Sequence, residues 1–374
     1  MFDATSWTFI DFPPADSGRA RISSSFRASD VCDDLEFGSR RISLFCVIPR
    51  RRHPRWGGGT MRAATPTLAD IGGGRLRRRW QAALQTAYGA FSRMRGSLWR
   101  RVCALPVVTQ LREQARTARC AAFAEPIPKR SQATLARLRC DGIAVLRAPV
   151  FAALLTRTER AAFRELLETA AEGLDSRDVL DADEIFRACP RAYEFGIAES
   201  LIDIAEAYLG EPCLYLGVAL KRERADGRLV GARGWHRDIE DDRMLRLLVY
   251  LNDVGVGGGP FEFVPLGREE PLPAAAGYVG GYLDDRRANV LAPPEHREEV
   301  LGTAGQAIFF DGVRIFHRAQ PPRIQPRYSL TFSYVTRRPK ELRLSARLSR
   351  PTHAEFTRRL SPRLAACVPR PRSL

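Results

Sequence analysis

The chain contains few histidines and lysines and lacks long apolar runs. Each of these shortages excludes a class of protein or a kind of site. Among its 374 residues there are only five histidines, and three of the 59 basic residues are lysines. No run of about 18 apolar residues occurs, so we predict no membrane-spanning helix. The first residues lack a basic start followed by an apolar stretch, so we expect no secretory signal.

Cysteine is present but follows no recognisable pattern. The eight cysteines form no Cys-x-x-Cys pair, and none lies at zinc-binding spacing from a histidine. Scattered cysteines in a chain of this length are typical of reduced thiols, and a disulfide framework is the weaker interpretation. Together with the missing signal, this pattern predicts a cytoplasmic protein.

Positive charge is concentrated in two segments. Residues 51–130 contain 17 basic and 3 acidic residues, and residues 337–374 contain 11 basic and 2 acidic ones. Such segments bind nucleic acid or anionic membranes through non-specific electrostatics. One interpretation of 51–130 is therefore a nucleic-acid or anionic-membrane contact, and the other is a solvated arginine-rich extension.

Changes in periodicity and charge along the sequence divide the chain into four segments. Residues 1–73 lack periodicity and are predicted to be a disordered extension, within which Met61 is an alternative start. Residues 74–130 form a basic helical segment. Its amphipathic stretch either contacts a membrane or nucleic acid, or packs on the next domain. We expect a folded domain over 131–336 and a basic C-terminal tail over 337–374.

Within the predicted domain, helices give way to strands. Residues 131–148 indicate a short helix, an Asp-Gly turn and a strand, and residues 150–173 and 195–210 indicate helices. After residue 213, short β-rich runs alternate with Gly, Pro and Asp-Gly turns. The predicted class is mainly β with flanking helices, built on a jelly-roll or cupin-like core.

Two histidines and an aspartate are candidate metal ligands. His236 and Asp238 point to the same face of an extended strand, because side chains alternate along it. His317 closes an apolar run after an Asp-Gly turn, where an imidazole needs a polar partner. Such a set leaves three positions open on Fe(II), although it also binds zinc in hydrolases. The structural alternatives are a surface His–Asp pair and a hydrogen-bonded core histidine.

An arginine ten residues after His317 favours iron over zinc. Arg327 and Ser329 share one face of a β-rich run, and a guanidinium beside a hydroxyl forms a clamp for a carboxylate. An enzyme that binds a dicarboxylate co-substrate needs such a clamp, whereas a zinc hydrolase does not.

These motifs together resemble the Fe(II)/2-oxoglutarate dioxygenase superfamily and, within it, the phytanoyl-CoA dioxygenase family. The resemblance covers roughly residues 135–336 and is carried by GWHRD, YLNDVGVGGGPFEFVPLG and FFDGVRIFHRAQPP followed by RYSLTFSYV. It implies a double-stranded β-helix, with Fe(II) on His236, Asp238 and His317. It also implies that Arg327 and Ser329 bind 2-oxoglutarate, and Tyr250 falls where the family often lines the co-substrate pocket.

The implied reaction is the oxygen-dependent hydroxylation of a C–H bond in a small organic or lipid-like substrate. Asp238 is consistent with hydroxylation, because related halogenases lack this carboxylate. The turn at residues 265–268 departs from the PGSH-like turn of the family, so the resemblance does not identify the substrate. A non-catalytic metal-binding protein and a zinc hydrolase are the remaining alternatives.

Overall fold

The computed structural model describes residues 35–37, 40–42, 94, 96, 98–123, 128–170, 182–268, 277–342 and 347–371. They belong to two compact units, residues 1–73 and 74–374. In the first unit, strands β1 (Leu35–Phe37) and β2 (Arg40–Ile42) pair antiparallel. The predicted disordered extension and the amphipathic stretch over 75–101 lie almost entirely outside the described residues.

A helical region precedes most of the strands in the second unit. Its elements are α1 (Pro106–Ala122), α2 (Gln132–Asp141), β3 (Ile143–Leu146), α3 (Ala148–Leu154), α4 (Arg157–Thr169), α5 (Ala182–Ala188), α6 (Pro190–Phe195) and α7 (Glu199–Leu209).

Local sequence explains where several of these helices begin and end. Helix α4 begins with a capping box, in which Thr156 and Glu159 each satisfy a backbone amide of the other. Helices α2 and α7 end at Gly142 and Gly210, which both adopt the left-handed conformation with φ of 75°. These two endings confirm the predicted Asp-Gly turn and the predicted stop at Gly210.

The helix predicted over 150–173 is instead two helices. Leu155 has an extended backbone, with ψ of 151°, and separates α3 from α4. The apolar periodicity alone predicts one continuous helix across this point. The capping box at Thr156 and Glu159 instead starts a new helix.

The remaining strands form two antiparallel sheets. The further elements are β4 (Cys213–Glu223), β5 (Met244–Tyr250), β6 (Phe261–Phe263), α8 (Asp285–Leu291), β7 (Glu298–Val300), β8 (Ala307–Phe310), β9 (His317–Ala319), β10 (Arg327–Thr336), α9 (Arg350–Thr357) and α10 (Pro362–Ala365), with 3-10 turns at Lys129–Ser131, Gly231–Arg233 and Pro294–His296. The larger sheet, which includes β3, has the order β3-β8-β5-β10-β4, and the smaller has the order β7-β6-β9.

The long strands of the larger sheet have two different faces. In β10, Phe332 and Tyr334 join the large apolar core that includes residues of the helices. Arg327, Ser329 and Ser333 lie on the other face and line a cavity between the sheets. Each apolar side chain on the helical face contributes about 1.5–3 kcal/mol by burial, so this face holds the fold together while the other carries polar groups.

The described part of the predicted basic tail adds to the same core. Leu348, Phe356, Cys367 and Val368 are all buried and belong to the helix–sheet cluster. Residues 347–371 therefore contribute apolar packing in addition to their positive charge.

Helix α1 is held on the domain by ion pairs. Arg112 binds Asp242 at 2.8 Å and Arg119 binds Glu211 at 2.8 Å. Val107, on the same helix, is 67% exposed. None of the helices within the described ranges is both long and apolar enough to cross a membrane.

Candidate metal centre

A cavity of about 550 Å³ lies between the two sheets. Strands β4, β5 and β10 of the larger sheet form one wall, and residues of β6 and β9 contribute from the smaller sheet. Five of the side chains singled out in the sequence line it: His236, Asp238, His317, Arg327 and Ser329.

The three predicted metal ligands converge in this cavity. One potential ligand atom from each of His236, Asp238 and His317 lies within 4.8 Å of the others. The Asp238 Oδ2 atom is 4.0 Å from the His317 Nε2 atom. Two atoms bonded to one ion at about 2.1 Å are at most about 4.2 Å apart, so this pair fits a single coordination sphere.

Backbone hydrogen bonds bring these ligands together across 81 positions of sequence. The amide of His236 donates to the carbonyl of His317 at 3.1 Å, and the reverse bond measures 3.0 Å. The amide of Asp238 donates to the carbonyl of Gly312 at 2.7 Å. The segment around His236 is thereby attached to β9, which extends the smaller sheet by one bridge.

Both imidazoles are oriented for binding through Nε2. The Nδ1 atom of His236 lies 2.8 Å from the carbonyl oxygen of Gly234, and that of His317 lies 3.3 Å from the carbonyl of Ile315. A hydrogen bond from Nδ1 leaves the Nε2 lone pair available to a metal. Burial lowers the pKa of both histidines, that of His317 to about 3, so both are neutral at pH 7 as metal ligands must be.

The Asp311-Gly312 turn supports Asp238 directly, a role that the sequence did not reveal. A Cβ atom at Gly312 would lie 1.9 Å from the Oδ2 atom of Asp238, so only glycine leaves room for the carboxylate. The Asp311 carboxylate accepts the Val313 amide at 3.1 Å and the Tyr208 hydroxyl at 2.6 Å. The turn is therefore held from two sides beside the candidate ligand.

Arg246 is a second residue that sequence reasoning missed. Its Nε and Nη2 atoms bind Oδ2 and Oδ1 of Asp238 at 2.5 and 3.0 Å. Burial raises the pKa of Asp238, but the charge and hydrogen bonds of Arg246, together with the neighbouring His317 and His236, outweigh it and hold this pKa well below its usual value. The available signal was an arginine within the otherwise apolar MLRLLVY strand.

Arg327 lies deep in the cavity wall with part of its hydrogen-bonding capacity unused. It is 2% exposed, and its Nη1 atom donates to the carbonyl of Gly259. Its Nη2 atom is 4.0 Å from Glu223, which already pairs with Arg233 at 2.7 Å. The buried Nε atom has no hydrogen-bond partner among the described residues. This donor fits an anionic ligand, because burying an unpaired polar group is costly.

Lys221 is a third cavity residue that was not predicted as part of the site. It stands directly opposite Ser329 in the pairing of β4 with β10, and both line the cavity. Burial lowers the pKa of Lys221, while the neighbouring carboxylate of Glu223 raises it. Lysine is rare in this sequence, with three residues in total, and this rarity was the one available signal for Lys221. Its position beside Ser329 depends on the pairing of the strands and could not be read from the sequence.

The structure does not bring Tyr250 to the cavity wall, contrary to the pocket-lining position that the family resemblance implied. Its hydroxyl donates to the carbonyl of Val300 and accepts the amide of Phe261, each at 2.8 Å. Both partners belong to the smaller sheet, so Tyr250 braces one sheet against the other. Its hydroxyl therefore pairs with two backbone groups.

Two regions outside the strands also line the cavity. Ala182 and Ile185 of α5 line one side, and Gly281 and Tyr282 line another. The centroid of the Tyr282 ring is 5.0 Å from that of His236. Apolar and aromatic groups thus surround the approach to the candidate ligands.

A second group of potential ligands is already satisfied internally. Glu206, Cys213 and Cys367 lie within 4.8 Å of one another and are fully buried. The Glu206 carboxylate accepts the amide of Cys213 at 3.3 Å and the guanidinium of Arg363 at 2.8 Å. This cluster therefore fits a structural role.

No protein-family profile and no curated protein matches the chain. Many solved structures are similar at low identity, and three of them illustrate this. The non-heme alpha ketoglutarate dependent epimerase SnoN from nogalamycin biosynthesis is 19% identical over 55% of this chain and 82% of its own, with a TM-score of 0.37. EctD from S. alaskensis with 2-oxoglutarate and 5-hydroxyectoine is 20% identical over 55% and 76%, with a TM-score of 0.38.

The third is HygX from Streptomyces hygroscopicus with iron bound, 16% identical over 55% of this chain and 87% of its own, with a TM-score of 0.39. Likeness at this level carries no weight for function. The assignment of the site rests on the geometry of its own residues.

Proposed function

We propose that the chain is an Fe(II)- and 2-oxoglutarate-dependent oxygenase built on a double-stranded β-helix. The topology supports this core: β4, β5, β8 and β10 lie in one sheet, and β6, β7, β9 and the bridge at His236 lie in the other. Eight successive segments divided between two antiparallel sheets are typical of a jelly roll.

One observation carries the proposal. The candidate ligands His236, Asp238 and His317 share a cavity with Arg327, a buried arginine that has an unused donor. Two imidazoles and one carboxylate suit Fe(II) and leave positions for a chelating co-substrate and oxygen. When bound, iron and 2-oxoglutarate would activate molecular oxygen, which is the oxidant for the C–H bond, while 2-oxoglutarate gives up two electrons and becomes succinate and carbon dioxide.

The residues of the chain divide the binding work between them. The Nε2 atoms of His236 and His317 and a carboxylate oxygen of Asp238 would hold the metal. Arg327 and Ser329 would bind the distal carboxylate of 2-oxoglutarate through a charge-assisted pair and one hydroxyl. Lys221, which lies opposite Ser329 on the adjacent strand β4, would place an amino group beside the same carboxylate as a further hydrogen-bond donor.

The walls beyond these residues support a partly apolar substrate. Leu216, Met244, Ile185 and Tyr282 are among the other residues that line the cavity, together with charged side chains such as Arg237 and Glu240. Apolar side chains near the reacting position exclude water and accept hydrocarbon surface. A small organic or lipid-like molecule that is hydroxylated at carbon fits this lining, and the Asp238 carboxylate favours hydroxylation over halogenation.

The test uses the full-length protein loaded anaerobically with Fe(II). Addition of 2-oxoglutarate should produce the charge-transfer absorbance of an Fe(II)–2-oxoglutarate complex. Oxygen together with a metabolite library should then release succinate. Metal binding without 2-oxoglutarate binding would favour a non-catalytic metal-binding protein, and tight zinc with no oxygen consumption would favour a hydrolase.

A second function, an anionic-membrane or nucleic-acid contact by the basic segment, is favoured by one observation. Leu98, Leu105, Val107 and Leu111 are each more than half exposed, close to arginines of the segment over 51–130. Exposed apolar residues among arginines favour a membrane surface over nucleic acid. Binding to anionic vesicles but not to neutral ones would support it, whereas equal binding to DNA would argue for simple charge attraction.

A further inference from the structure

Arg246 binds the carboxylate of Asp238 in a way that limits how this residue can hold a metal. Its Nε and Nη2 atoms reach the two different oxygens, at 2.5 and 3.0 Å. This is the side-by-side fork in which guanidinium and carboxylate share two parallel hydrogen bonds. The fork occupies the edge of the carboxylate that lies between its two oxygens.

That edge is the one that a bidentate metal ion needs. A carboxylate has about four lone-pair sites, and a chelated ion uses the two that converge between the oxygens. With the guanidinium there, an ion can approach Asp238 only from the outer side of one oxygen. The Oδ2 atom, 4.0 Å from the Nε2 atom of His317, is on the side of the other ligands.

Several further contacts hold the side chain of Arg246 in place. In the pairing of β5 with β10 it stands directly opposite Ser333, and its Nη1 atom donates to the Ser333 hydroxyl at 3.0 Å. Its Nη2 atom also lies 3.5 Å from Glu240. Only 19% of the Arg246 side chain is exposed, so little solvent competes for these contacts.

We propose that Arg246 is a positioning residue that restricts Asp238 to coordination through a single oxygen, an inference that rests on the proposed function. A chelating carboxylate would take one more place on the ion. The open places are needed for the two donor atoms of 2-oxoglutarate and for oxygen. Arg246 thereby keeps available the position that the co-substrate or oxygen requires.

The test replaces Arg246 and examines Mn(II), without reliance on turnover. Arg246→Met keeps the length of the side chain but removes its charge and donors, and Arg246→Lys keeps the charge but removes the fork. In crystals of the Mn(II)-loaded proteins, we expect one Asp238 oxygen on the ion in the wild type and two in both variants. By calorimetry, Mn(II) should still bind, while 2-oxoglutarate binding to the Mn(II) protein weakens about tenfold.

Arg318→Met is the matched control. Arg318 forms an equally short ion pair, 2.5 Å to Glu262, with similar exposure of 21%, but does not touch Asp238. This variant should keep single-oxygen coordination and the affinity for 2-oxoglutarate, so any general effect of losing an ion pair is separated from the effect at the ligand.

Single-oxygen coordination in folded Arg246→Met, or Mn(II) binding lost from it, would overturn the inference. Where Arg246→Met does not fold, Arg246→Lys decides, because a wild-type coordination in that variant rejects a role for the fork. Failure of the proposed function is distinguishable, since it appears in the wild type as absent 2-oxoglutarate binding while the Asp238 coordination can still be read.

Discussion

The two faces of the larger sheet are formed by the same strands but differ in the kind of side chain that they bury. One face buries apolar side chains and the other buries polar and charged ones. On the helical face, Leu330, Phe332 and Tyr334 are completely buried in apolar surroundings. On the cavity face, the same strand presents Arg327 and Ser329, which are 2% exposed. Burying apolar groups stabilises the fold, whereas burying charged groups costs free energy unless they are paired.

This difference separates the proposed ligand-binding residues of β10 from the residues of the same strand that stabilise the fold. The cavity face holds a row of polar residues, and the guanidinium of Arg327 is only partly satisfied by the described residues. Burying such a group lowers the stability of the fold, and it is retained when a ligand supplies the missing hydrogen-bond partner. Changes on the cavity face should therefore affect binding first, and changes on the helical face should affect stability first.

The largest effect is expected for Asp238→Ala on the cavity side. It removes one of three predicted metal ligands, and we expect metal-dependent succinate release to fall at least about 100-fold. Succinate should be measured together with bound iron per protein. Turnover equal to that of the wild type in the folded variant would refute the ligand assignment.

Phe332→Ala tests the face of β10 that packs against the helices. Loss of this fully buried ring, which packs edge-on against Phe195 with centroids 5.6 Å apart, should lower the free energy of unfolding by about 3–5 kcal/mol. Urea denaturation measures the loss. The folded fraction should bind Mn(II) as the wild type does, and a selective loss of metal binding would break the division between the faces.

Gly312→Ala sharpens the comparison, since it adds one methyl group at the edge of the site. The new Cβ would lie where the Asp238 carboxylate is, so the carboxylate must move. We expect metal affinity to fall about 10- to 100-fold with little change in secondary structure. Calorimetric titration with Mn(II) measures it, and Gly255→Ala, where a Cβ meets nothing within 4 Å, is the matched control.

The smallest effect is expected for Arg327→Met. The affinity for 2-oxoglutarate should fall about tenfold, because one charge-assisted interaction is lost, while Mn(II) binding should be unaltered. The free energy of unfolding should stay the same or rise, since a costly buried charge is removed. A fall in stability without a change in co-substrate affinity would assign Arg327 to the structural side of the comparison.

Much of the site could be predicted because local periodicity decides which side chains share a face. His236 with Asp238, and Arg327 with Ser329, are each two residues apart, and the structure places each pair in one cavity. The endings at Gly142 and Gly210 could be predicted because a left-handed residue favours glycine.

Other features depend on strand pairing and could not be predicted. Lys221 meets Ser329, and Arg246 meets Ser333, only through the registers of β4 and β5 with β10. The contacts of Tyr250 depend on the same long-range packing, because its hydroxyl partners Val300 and Phe261 lie on the other sheet.

The sequence by itself determined the alternation of polar and apolar residues, the turn and helix-ending glycines, and which short motifs could carry a metal and a carboxylate. Only the tertiary structure decided that His317 joins His236 and Asp238, that Gly312 makes room for the carboxylate, and that Arg246 grips it. The physical reason is range: side-chain direction along a strand is a local property of the backbone. Contacts between residues far apart in the chain exist only once two sheets have paired and packed.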